Sequence, residues 1–253
     1  MNKNLISLIK DNVIYVFGDC QIYYRVYGKS KNRVNIFLHG WGQSGKCFSN
    51  IIKHFKGCQN ITIDFPPFGA SGQPHGWNLY SYANMVMSLC DHLKIEKCNL
   101  IGHSFGGRIA ILIASLKPSL VDKMVLVGSA GMKPKRKISY YFNVFSYKIL
   151  KFFGYFPKNA GSSDYCKLSD DMKKTFVSIV NTPLEEYCPQ IVARTLIVFG
   201  ERDSETPVYM AKRLNRLIKN SELVILEGAG HFVFVDREMA FVRVTKNFLL
   251  GAE

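Results

Sequence analysis

Three short runs constrain this chain more than any other feature: Val34-Asn35-Ile36-Phe37-Leu38, Met124-Val125-Leu126-Val127 and Leu196-Ile197-Val198-Phe199. They are almost continuously apolar, without the alternation that marks a half-exposed strand. Strands of this kind are buried on both faces of a sheet. The pattern predicts strands at 21–27, 34–38, 61–65, 98–101, 123–127, 195–199 and 222–226. Helical stretches fall between them, at about 46–56, 80–94, 105–116, 207–219 and 236–249. Strand–helix alternation implies an α/β fold: a mostly parallel sheet with helices on both faces and right-handed crossovers. The 253 residues suit one large domain, big enough to bury a core without disulfide or metal staples.

The alternation breaks once, over 132–189, where no strand signal occurs. An insertion of this length is too long for a plain connection. The expected organisation is a core of 1–131 and 190–253 with a helical cap, 132–189, resting on the sheet's top edge. Within the cap, Ile138, Tyr141, Phe142, Phe145, Ile149, Phe152, Phe153 and Phe156 recur at steps of three and four, one face of a helix. These aromatics can glue the cap to the core or line an apolar pocket for a small-molecule substrate with an acyl or aryl group. Membrane-surface contact is the weaker expectation.

Charge and cysteine usage narrow the partners. The chain carries 33 Lys+Arg against 19 Asp+Glu, a net +14. The basic residues are scattered, and the densest cluster, Lys133, Lys135, Arg136 and Lys137, is short. With no zinc-finger spacing and no aromatic RNA-binding motif, nucleic acid is not expected. No run reaches the roughly 18 apolar residues of a spanning helix. The apolar stretch near the N-terminus, Leu5 to Ile9, is too short for a signal peptide. Seven cysteines, an odd count with no C-x-x-C pair, point away from a disulfide framework and from structural zinc. The expectation is a reduced, cytoplasmic protein with no metal and no organic cofactor.

The chemistry centres on Gly102-His103-Ser104-Phe105-Gly106-Gly107. The pattern G-x-S-x-G is weak alone, but here a strand precedes it and a helix follows. A serine on such a turn is held in a strained backbone with its hydroxyl presented outward. Serine needs a base, and His231 follows the last expected strand in Glu227-Gly228-Ala229-Gly230-His231. His103 reads as structural, while His54, His75 and His92 fall in helical or surface stretches and are not candidates for the base. The base needs a carboxylate to fix its tautomer. Asp203, after the strand at 195–199, is favoured, with Glu201 and Glu205 competing for the role. Backbone N–H groups of Phe105 and Trp41 are the candidate oxyanion donors, with His39 bracing the Trp41 loop. Trp41, Phe145 and Phe232 are candidate substrate contacts.

Taken together, His39-Gly40-Trp41-Gly42, the run from Asp64 to Ser71, Gly102 to Gly107, Gly200 to Asp203 and Gly228 to His231 resemble the α/β-hydrolase superfamily. The resemblance is to its capped branch of esterases, C–C bond hydrolases and perhydrolases, and covers 21–250. It implies an eight-stranded sheet, a helical cap and the catalytic roles Ser104, Asp203 and His231. Pro67 stands where the family often has glycine. Ser104 excludes the dehalogenases and epoxide hydrolases, which use aspartate there. C–C bond hydrolases usually flank the serine with asparagine and methionine and follow the histidine with tryptophan. Here those residues are His103, Phe105 and Phe232, so the expected function is hydrolysis of a small carboxylic ester, thioester or lactone. The alternatives are a C–C bond hydrolase of ring-cleavage products and a ligand receptor on the same fold.

Overall fold

The computed structural model describes residues 9–30, 32–134 and 169–251. Their apolar runs join in one eight-stranded sheet, with strands β1 (Ile9–Phe17), β2 (Cys20–Tyr27), β3 (Val34–Leu38), β4 (Gln59–Asp64), β5 (Cys98–His103), β6 (Val121–Val127), β7 (Arg194–Gly200) and β8 (Ser221–Leu226). The spatial order is β1-β2-β4-β3-β5-β6-β7-β8. The pairs β1–β2 and β2–β4 are antiparallel, and every later pairing is parallel.

Burial explains why the central strands read as unbroken apolar runs. Ile36 and Leu38 of β3 face one side of the sheet and Phe37 the other; Leu100 and Ile101 of β5 divide the same way. Both sides are covered, so alternation of facing does not become alternation of polarity. One side packs against α2 (Leu79–His92), α3 (Phe105–Leu116) and α5 (Val208–Leu217). The other packs against α1 (Ser49–Ile52), α6 (Val233–Asp236) and α7 (Glu238–Leu250). In α3, Ile109, Ile111, Leu112 and Ile113 are completely buried, each contributing roughly 1.5–3 kcal/mol. This anchors the helix whose first turn carries the candidate site.

Two elements differ from expectation. β1 was not predicted: Lys10, Asp11 and Asn12 follow its first residue, and its pairing is irregular between Lys10 and Val13. It is an edge strand with Ile14 and Val16 exposed, so neither a buried run nor a clean alternation marks it. The helix expected over 46–56 is instead a 3-10 turn, Gly45–Phe48, followed by the single-turn α1. Of the expected cap, the structure describes α4 (Asp170–Asn181), whose Met172, Thr175 and Ile179 are buried. The aromatic stripe from Ile138 to Phe156, with Phe145 in it, lies outside the described residues.

Candidate active site

Every candidate catalytic side chain sits just beyond the C-terminal end of a parallel strand, where open α/β sheets carry their ligands. Ser104 follows β5 directly and precedes α3. Its backbone is at φ 50°, ψ −107°. For a non-glycine residue this conformation costs on the order of 1–3 kcal/mol. The surrounding backbone holds it there. Ser104 N–H donates to Val127 O at 3.0 Å, and its carbonyl accepts from Gly107 N–H at 3.1 Å and Ala130 N–H at 3.2 Å. Glycines clear the turn. A Cβ on Gly102 would lie 2.6 Å from Gly106 O, and one on Gly106 would collide with the Leu38 carbonyl of β3.

His231 and Asp203 meet across the ends of β8 and β7. The two loops are zipped by Arg202 N–H to Ala229 O, 2.8 Å, and Glu201 N–H to Leu226 O, 3.1 Å. His231 Nδ1 donates to Asp203 Oδ2 at 2.8 Å, and both side chains are buried. The carboxylate is held on every side. Oδ1 accepts from Glu205 N–H at 2.9 Å and Thr206 N–H at 2.8 Å, and Thr206 Oγ1 lies 2.7 Å from Oδ2. Burial alone would raise the Asp203 pKa, but the bonds from His231 and Thr206 outweigh it and the net shift is downward.

Neither competing carboxylate meets Nδ1 of His231. Glu201 accepts from Gly228 N–H at 3.0 Å. Glu205, largely exposed, lies on the other side of the imidazole, with Oε2 3.5 Å from His231 Nε2. No hydrogen bond joins Ser104 to His231 among the described residues; the imidazole's close partners are Asp203, Thr206 and Glu205.

The neighbouring histidines are structural. His103 is buried beneath the site, its ring 4.7 Å from that of His231, and Nε2 donates to His231 O at 3.1 Å. Burial and the adjacent His231 push its pKa down to about 3, so it is neutral. His39 braces the loop after β3 as expected. Nε2 accepts from Phe65 N–H at 2.7 Å, and Nδ1 donates to Gly40 O at 2.7 Å. Both nitrogens are committed to a neutral ring, and burial lowers its pKa to about 4. Asp64, at the end of β4, ties down the next turns. It accepts from Arg25 at 3.1 Å, Gly45 N–H at 2.8 Å and Ala70 N–H at 3.0 Å.

Trp41 stands at the centre of an aromatic group. Its ring is 4.9 Å from Phe68, 5.3 Å from Phe105 and 5.2 Å from Phe176 of α4. Phe176 was missed in the sequence, where one aromatic in a polar helix carries no signal. Phe232 is not part of this group; its ring packs on His103 at 4.9 Å and His231 at 5.6 Å. Phe145 lies outside the described residues.

Comparison with known proteins accords with this architecture. Residues 36–177 match the family model described as alpha/beta hydrolase fold. The chain belongs to the α/β-hydrolase family. Residues 177–253 of this α/β hydrolase also match a model described as TAP-like protein. It is 24% identical to 2-hydroxy-6-oxo-2,4-heptadienoate hydrolase of Pseudomonas putida, over 76% of this chain and 79% of that one. It is 24% identical to pimeloyl-[acyl-carrier protein] methyl ester esterase of Vibrio parahaemolyticus, over 84% and 92%. The fold is shared with the crystal structure of a membrane phospholipase A described as a bacterial virulence factor: TM-score 0.80, 23% identity, covering 98% of this chain and 88% of that one. The protein is thus an enzyme of the hydrolase class. Among its described residues no helix is long and apolar enough to cross a membrane.

One further side chain of this α/β hydrolase reaches toward the site's wall. Arg108, four residues after Ser104 on α3, is buried, and burial lowers its pKa to about 10 against the opposing effect of Glu185. Its guanidinium donates to the carbonyls of Ile179 (2.9 Å), Thr182 (2.9 Å) and Val180 (3.3 Å), the C-terminal end of α4.

Proposed function

We propose that the protein is a serine hydrolase of a small carboxylic ester, thioester or lactone with an apolar acyl or aryl group. The observation that carries this reading is the buried Asp203–His231 hydrogen bond, 2.8 Å, at the same sheet edge as the strained Ser104. His231 Nε2 takes the Ser104 proton as Oγ attacks the carbonyl carbon. The oxygen's negative charge is received by the N–H groups of Trp41 and Phe105. His231 returns the proton to the departing alcohol. It then removes a proton from water, which attacks the acyl-serine carbonyl, and gives that proton to Ser104 Oγ as the acyl C–O bond breaks, releasing the acid and free Ser104. For the first step Nε2 must turn from Glu205 to Ser104. Glu205 is largely exposed and the contact is long, 3.5 Å, so little holds Nε2 there.

The setting we propose is cytoplasmic, supported by the six described cysteines, all free thiols. A second reading, C–C bond hydrolysis, is favoured by the likeness to the Pseudomonas putida enzyme. The residues around Ser104 and His231 weigh against it, and loss of a dienone chromophore on adding the protein would support it.

Turnover of short p-nitrophenyl esters tests the main reading. Ser104→Ala should remove at least about 10³-fold of kcat while leaving the thermal unfolding profile in place. Near-wild-type rates in that variant would refute the assignment of the nucleophile.

A further inference from the structure

We propose that Arg108 is a positioning residue for substrate selection: by clamping the C-terminal end of α4, it fixes where Phe176 stands against Trp41 beside the reacting serine. The inference deepens the serine-hydrolase reading and rests on it.

The chain of contacts starts and ends at the same place. Ser104 and Arg108 are one helical turn apart at the start of α3, and Arg108 N–H approaches Ser104 O at 3.4 Å. From that turn the guanidinium crosses to α4 and takes three carbonyls, those of Ile179, Val180 and Thr182. The last carbonyls of a helix have no following turn to bond, and they carry the negative end of its dipole. A planar cation with several donors suits them better than a point charge does. Phe176 precedes Ile179 and Val180 by three and four residues, so it shares their face of the helix, about one turn from the clamp. Its ring lies 5.2 Å from Trp41, and the Trp41 ring lies 5.3 Å from Phe105, the residue after Ser104. A shift of α4 is therefore delivered to the group that flanks both candidate oxyanion donors.

A cleft bordered by Arg108, Met132, Lys133, Val180 and Thr182 opens beside the clamp, so on that side hydrogen bonds hold the helix end, while Ile179 packs into the core. The neighbouring tie is lighter: Leu184 N–H to Gly131 O at 3.1 Å and Lys133 N–H to Glu185 at 2.7 Å.

The test is a series of p-nitrophenyl esters from acetyl to octanoyl, with kcat and KM measured separately for wild type, Arg108→Met, Arg108→Lys, Phe176→Ala and the Arg108→Met/Phe176→Ala pair. Arg108→Met should change the long-to-short ratio of kcat/KM by at least about fivefold, the scale at which contacting residues couple. Most of the change should lie in KM. Phe176→Ala should move the ratio the same way, and the pair should change it little further. Arg108→Lys, keeping the charge but not the fork, should recover part of the wild-type ratio. If Arg108→Met does not fold, Arg108→Lys and Phe176→Ala carry the same comparison. A merely structural arginine would lower the melting temperature and scale all esters equally. A ratio unchanged within about twofold, or additive behaviour of the pair, overturns the proposal. Failure of the underlying reading looks different: wild-type protein would turn over no ester in the series and leave Ser104 unlabelled by a fluorophosphonate, and both proposals would then fall together.

Discussion

Asp203 and Glu205 are two residues apart in one loop and face opposite nitrogens of the same imidazole. Their surroundings set their work apart. Asp203 is buried, receives two backbone N–H groups and a hydroxyl, and has its pKa shifted down. It can hold His231 in the tautomer that leaves Nε2 free to accept a proton. Asp203→Asn should therefore cost about 10³–10⁴-fold in kcat, the scale of a wrong tautomer. Glu205 is largely exposed and competes with Ser104 for Nε2, so Glu205→Gln should stay within about threefold of wild type or exceed it. Steady-state ester kinetics on the two variants separates the roles, and a large loss in Glu205→Gln would contradict this division. At this scale, Ser104, Asp203 and His231 were legible because each follows a strand signal at a glycine-rich turn. Thr206, Phe176 and the grip of Arg108 on α4 were not. Their partners lie 25 to 135 residues away, and a lone hydroxyl, ring or guanidinium has no period to betray it.

At the scale of elements, the fold's central strands were readable and its margins were not. β3, β5, β6 and β7 are covered on both faces, so each carries a short apolar run without alternation, such as Met124–Val127 and Leu196–Phe199. β1 is a half-exposed antiparallel edge, and its mixed composition hides it. The stretch 46–56 has apolar residues at helical spacing, yet Gly45 packs against Thr62 and its N–H is bonded by Asp64, so a tight turn replaces the first part of the helix. The junction of β3, β5 and α3 is where element packing meets the site. Gly106 lets α3 begin directly on the Leu38 carbonyl of β3, and a backbone carbonyl inside a parallel ladder cannot give way. Gly106→Ala should destabilise the protein by about 1–3 kcal/mol or more, read as a lower urea midpoint. It should also reduce esterase activity, because Phe105 and Ser104 move with the helix start. An unchanged midpoint would mean that α3 does not sit where this packing puts it.

For the molecule as a whole, the clearest consequence is a pH dependence of stability built into the loops around the site. His39 and His103 are buried and neutral, with pKa values lowered to about 4 and about 3. Unfolding releases both to the ordinary value near 6.5. Between those limits the unfolded chain binds more protons than the folded one, so stability falls as pH drops from 6.5 toward 4. The loss should be on the order of 2 kcal/mol per histidine between pH 6.5 and 5. Asp203 contributes in the same sense at lower pH, since its depressed pKa stabilises the fold above the ordinary carboxylate range and that contribution is lost on further acidification. Urea unfolding at pH 7.5, 6 and 5 measures the slope, and a flat profile would mean that the two rings are accessible or charged when folded. Beneath these consequences lies the claim that Ser104 is activated by His231 across the sheet edge. The measurement that tests it most directly is the rate of fluorophosphonate labelling, with the modified residue mapped by mass spectrometry, in wild type and His231→Ala. The expected result is an adduct on Ser104 in wild type, formed at least about 10³-fold more slowly in His231→Ala. An adduct on another residue, or equal rates in the two proteins, would contradict it.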